Sequence, residues 1–152
     1  MTRGWHLAGA AMVLLSVSVV AQQKPNFSGT WVVVTPEPSA GQEEVIRQDD
    51  TTFSKGHASN NGGHNFAYKL DGTESPNVLS PHAGEEIVML ATATWRGNAL
   101  VITEKVTYPD GRKKEQTSTY SLDDQGLLRV SMERLADGKA EPTVTVVYKK
   151  KP

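Results

Sequence analysis

From Ser28 onward, apolar side chains recur at every second position in short runs rich in β-branched and aromatic residues, punctuated by Gly, Pro, Asn and Asp. No window holds a helical period over three turns, so the pattern predicts strands throughout. They fall at Gly29–Thr35, Glu43–Gln48, His64–Leu70, Glu85–Trp95, Ala99–Tyr108, Arg112–Leu122, Leu127–Leu135 and Thr143–Lys150. Asp110-Gly111 and Asp137-Gly138 read as two-residue hairpin turns, and Arg96-Gly97-Asn98 and Asp123-Asp124-Gln125-Gly126 as slightly longer ones. The last five strands are therefore expected to pair in sequence order. Alternation sorts their faces: Leu100, Ile102, Val106 and Tyr108 oppose Val101, Thr103, Lys105 and Thr107, and Leu128, Val130 and Met132 oppose Arg129, Ser131 and Glu133.

The expected architecture is all-β: an antiparallel, eight-stranded, up-and-down barrel. Eight strands is the number at which a closed sheet is just filled by side chains or holds one small ligand. In the row Ile87, Met89, Ala91, Ala93 and Trp95, the two alanines leave room beside larger neighbours and hint at an internal cavity. Pro36 to Gln42, Lys55 to Gly63 and Thr73 to Gly84 are too irregular for hairpins, and two or three of them should rim any mouth, where specificity usually resides.

The first 21 residues change the expected compartment. Arg3 precedes the apolar run Leu7 to Val20, and Val19 and Ala21 supply the small residues of a cleavage site before Gln22 and Gln23, the order of a secretory signal. The run is shorter than the roughly 20 apolar residues that a membrane span needs. The division is a signal peptide over 1–21 and one barrel domain over 22–152, with the mature protein secreted or periplasmic and soluble, without stable membrane insertion. A chain of this length buries a core without disulfides, in keeping with the absence of cysteine. The net charge of −1, with scattered basic residues, gives no phosphate-binding face for nucleic acid. The tail Lys149-Lys150-Lys151 reads as a solvated chain end.

The mature chain opens Asn26-Phe27-Ser28-Gly29-Thr30-Trp31. This resembles the N-F-x-G-x-W opening of lipocalins and the similar start of fatty-acid-binding proteins. In those families the glycine begins the first strand and the tryptophan plugs one barrel end. Gly111-Arg112, Gly126-Leu127-Leu128, Asp137-Gly138-Lys139 and the closing Val147-Tyr148-Lys149 are similar in layout to the fatty-acid-binding group. With Leu70-Asp71-Gly72 and Trp95-Arg96-Gly97-Asn98-Ala99-Leu100, the chain resembles lipocalin-like (calycin) domains of exported bacterial proteins. Two departures stand out. Pro36 to Gln42 is too short for the helical pair that closes the fatty-acid-binding barrel. Val146 stands where the Arg-x-Tyr pair that holds the ligand carboxylate would have its arginine, although Tyr148 matches the tyrosine.

Candidate chemistry is sparse. His57, His64 and His82, with Asp49 and Asp50, are metal-ligand types, but their spacing matches no metal motif. Glu104 and Arg134 fall in phase with inward apolar residues; either they pair inside the barrel, or each lies at a strand end and reaches water. The chain has no cysteine nucleophile, no G-x-S-x-G elbow and no nucleotide-binding glycine fingerprint, so neither catalysis nor a cofactor is expected. The leading functional expectation is a small, mostly apolar ligand inside the barrel, lined by Trp31, Met89, Trp95, Leu100, Ile102, Tyr120, Val130, Met132, Val146 and Tyr148. The alternative is a non-catalytic structural or interaction module of the cell envelope with a solid core.

Overall fold

The alternating runs do form strands. The computed structural model describes residues 24–57, 65–79 and 86–152. Within these lie β1 (Gly29–Thr35), β2 (Glu43–Gln48), β3 (Thr52–His57), β4 (Phe66–Lys69), β5 (Ser75–Leu79) and β6 (Ile87–Arg96). They continue with β7 (Ala99–Thr107), β8 (Lys113–Leu122), β9 (Leu128–Ala136), the two-residue β10 (Lys139–Ala140) and β11 (Val144–Lys150). One turn of 3-10 helix, Glu37–Ser39, occupies the connection after β1. The expected signal peptide lies outside the described residues.

The sheet order is β4-β3-β2-β1-β11-β9-β8-β7-β6-β5, with β10 pairing on β9, and all pairs are antiparallel. β1 pairs with β11, so first and last strands join and the sheet curls into a nearly closed barrel. Ten strands plus the β10 stub, rather than eight, make up the wall. The two strands missing from the pattern have identifiable causes. β3 places charged Lys55 in the inward row after Phe53, and β5 carries Pro76 and Asn77, so neither alternates apolar with polar. The later strands pair in the expected order, β6 to β9 and then β11.

Two of the turns differ in detail. Asp137 and Gly138 both take positive φ, 49° and 77°, the geometry of a tight two-residue hairpin. At Asp110-Gly111 the loop spans three residues instead: the Tyr108 N–H donates to the Arg112 carbonyl at 2.9 Å and Gly111 alone turns left-handed.

β4 and β5 share no ladder, and side chains bridge the seam between them. Asn77 accepts from the Ala67 N–H at 2.8 Å and donates to the Ala67 carbonyl at 3.0 Å, imitating one rung of a sheet. The Ser75 hydroxyl accepts from the Lys69 N–H at 2.9 Å. Backbone groups at a sheet seam need partners, and here two polar side chains supply what a strand would.

One half of the interior is solid. Phe27, Trp31, Ile46, Phe53, Tyr68, Leu100, Ile102, Tyr120 and Leu128 are buried in a single core cluster. Phe27 stacks on Trp95 at 5.9 Å, and Phe53 meets Tyr120 edge-on at 5.2 Å. Each fully buried large side chain contributes about 1.5–3 kcal/mol, so this aromatic end anchors the barrel. Trp31 donates its indole N–H to the Phe27 carbonyl at 2.7 Å, which fixes the segment before β1 across the end. Gly29 has φ 141°, and a β-carbon there would lie 2.6 Å from Cε of Lys150, whose ammonium sits 5.5 Å from the Trp31 ring centre. The glycine therefore serves both the strained backbone and the lysine crossing.

Candidate functional site

Charged and polar residues enter the barrel on the inward rows of β3, β4, β7, β8 and β9. The register sets Glu104 opposite Gln116, and Gln116 opposite Arg134, so three polar side chains lie abreast on adjacent strands. Gln116 joins them: its amide N–H donates to Glu104 at 3.2 Å and its carbonyl accepts from Arg134 Nε at 2.8 Å. Arg134 also points Nη2 at the Met132 sulfur, 3.7 Å away. Glu104 and Arg134 thus meet through an amide and not directly. Glu104 is 8% exposed, so it does not reach water at a strand end.

Across the interior, Lys55 places its ammonium 3.3 Å from Glu104 and donates to the Tyr120 oxygen at 3.2 Å. The Tyr68 hydroxyl donates to the same carboxylate. The ammonium also lies within about 6 Å of the rings of Phe66, Tyr68 and Tyr120, close enough for cation–π attraction. Burial works against a charged lysine, but the oxygens of Tyr120, Tyr68 and Glu104 outweigh it and hold Lys55 protonated above its ordinary value. Burial pushes the Tyr120 phenol up to about 12. Tyr68 rises further for the same reason, and so does Tyr148, which is hydrogen-bonded to Glu44. The cluster is a neutralised, hydrogen-bonded plug between the aromatic end and the open end.

Beyond that plug the barrel opens into a cleft. A part-open cavity of about 290 Å³ lies where β7 passes to β8 and β9 ends, walled by Met89, Val106, Tyr108, Leu135 and Ala136 on the apolar side. Glu104, Lys114, Glu115, Gln116, Arg134 and Glu141 complete it. That volume is near the lower limit of ligand pockets. Strand direction puts the Pro36–Gln42 connection at this same end.

The ten residues expected to line a ligand all fall on inward rows, but the cavity wall carries Met89 and none of the other nine. Trp31, Leu100, Ile102, Tyr120 and Val130 belong to the core cluster, Trp95, Met132 and Tyr148 pack against it, and Val146 is buried on β11. Ala91 and Ala93 are also core, facing Glu104 and Ile102 across the β6–β7 ladder, so the room they leave is filled and the hollow lies one residue pair nearer the open end. Lys55, Tyr68 and Gln116 escaped the sequence reading. The one available signal was a polar residue in phase with apolar neighbours, and Gln116, like Glu104, shows it. His57 is exposed at the end of β3, and Asp49 caps the β2–β3 turn by accepting from the Thr51 and Thr52 amides, while His64 and His82 lie outside the described residues. No group of His, Asp and Glu among the described residues is placed to hold a metal. Among those residues, no helix is long and apolar enough to cross a membrane.

No family model matches the chain, and no curated protein matches it in sequence. Among solved structures 107 chains match. They include human cRBP IV, at a TM-score of 0.55 and 12% sequence identity, over 84% of this chain and 100% of that one. The likeness is one of fold alone: this is a nearly closed antiparallel β-barrel. The neighbour is a cellular retinol-binding protein.

Proposed function

We propose that this chain is an exported, non-catalytic barrel protein that binds a small ligand in the hollow end of its interior. The observation that carries the reading is the part-open cavity of about 290 Å³ above the Lys55–Glu104 plug. A solid-core envelope module gives no reason for a cleft of this size lined by both apolar and charged side chains. The kinship in fold with a retinol-binding barrel supports an apolar ligand class. The wall adds a qualification, for its lining alternates Met89, Val106 and Leu135 with Gln116, Arg134 and Lys114, which suits an amphipathic molecule better than a pure hydrocarbon. The N-terminal charge, apolar run and Val19/Ala21 site support export.

The test is to purify the mature protein from its native host, record native mass spectra and titrate the stripped protein with the neutral dye N-phenylnaphthylamine. A co-purified mass of a few hundred daltons or less, displaced by the dye with one-to-one saturation, is the expected result. A bare protein mass together with a linear, unsaturable dye signal would overturn the proposal.

A further inference from the structure

We infer that Arg134 and Lys114 form an anion seat on the cavity wall, so that the ligand carries a carboxylate, sulfonate or phosphate group directed toward β8 and β9. This rests on the cavity being the ligand site. Of the three wall carboxylates, Glu104 pairs with Lys55 from within and Glu115 with Lys105 on the outer face at 3.5 Å. Glu141 stays exposed at the rim. Neither Arg134 nor Lys114 has a carboxylate within ion-pair distance among the described residues, so both are available to an anionic group.

Lys114 pairs with Ala136 and Gln116 with Arg134, so Lys114 and Arg134 are diagonal neighbours on one face, the spacing at which long side chains reach each other's ends. Lys114 rests 5.7 Å from the Tyr108 ring centre and Arg134 is anchored by Nε on Gln116 and by Nη2 on Met132, which holds both in place at little further entropic cost. Arg112 sits on the same tyrosine but is taken by Asp110 at 2.6 Å, so it does not compete for the ligand. A guanidinium on the wall of a part-open cavity favours a planar or tetrahedral oxyanion. The seat lies on β8 and β9, away from β11, where Val146 offers no charge.

Two dyes with one ring skeleton separate the claims: anilinonaphthalene sulfonate, which carries the anion, and N-phenylnaphthylamine, which does not. With the full mature chain, the sulfonate is expected to bind at least tenfold tighter than the amine, with the gap narrowing as salt is raised. The variant Arg134→Gln should shrink that ratio about tenfold and Lys114→Gln severalfold. Equal affinities for the two dyes, or a ratio unchanged in both variants, would overturn the anion seat while leaving the cavity reading intact. Saturable binding of neither dye would overturn both. If Arg134→Gln does not fold, the exposed Lys114→Gln and the salt dependence decide.

Discussion

Glu104 and Lys55 are each tolerable inside the barrel only because the other is there. Removing one partner of a buried ion pair costs about 3–5 kcal/mol, because it strands the remaining charge, whereas removing both is far milder. Lys55→Met and Glu104→Gln are each expected to lower unfolding free energy by about that amount. The double variant should fall short of the sum by about 2 kcal/mol or more, a coupling that urea unfolding of the four proteins measures. Additive losses would mean that the pair is not coupled.

The tyrosines extend this to pH. Tyr68, Tyr120 and Tyr148 are all raised, chiefly by burial, so the fold favours the neutral phenol. Their contribution is complete below the ordinary tyrosine value of 10.0 and is lost as pH climbs through the folded-state value, about 12 for Tyr120. Phenolate absorbance should therefore appear for these three together with loss of near-ultraviolet dichroism between about pH 10 and 12, and not as an independent titration of a folded barrel. At the acid end, Asp49 and Asp71 are lowered by hydrogen bonds from Thr51 and from Thr73, so what these turn caps contribute fades as pH falls below 3.8.

At the scale of elements, the seam between β4 and β5 is the weak point of the wall. Asn77→Ala deletes the imitation rung and leaves the Ala67 amide and carbonyl to water, at an expected cost of about 1–2 kcal/mol. Amide hydrogen exchange should then accelerate in β4 and β5 while β7 to β9 stay protected. Uniform acceleration, or none, would show that Asn77 does not hold the seam.

Legibility in the sequence followed the same line. β6 to β9 and β11 were readable because each strand alternates a dry row with a wet one and is closed by Gly-bearing turns. β3 and β5 were hidden because the interior is not uniformly dry there: Lys55 faces inward to meet Glu104, and Asn77 and Ser75 face the seam. The candidate site suffered likewise. A period-two pattern identifies inward positions, so all ten expected lining residues are inward. It does not tell a filled level of the barrel from an empty one, because that depends on how Phe27, Phe53, Tyr68 and Tyr120 converge from segments distant in sequence.

The molecule as a whole is a barrel of two unequal halves, an aromatic end that stabilises it and a hollow end that remains open to a ligand, divided by the polar plug. Side-chain methyl NMR of the mature protein titrated with N-phenylnaphthylamine tests that division most directly. Shifts are expected at Met89, Val106, Leu135 and Ala136, with Ile46, Leu100 and Leu128 unmoved. Shifts centred on Ile46, Leu100 and Leu128, or no shift at all at saturating dye, would contradict it.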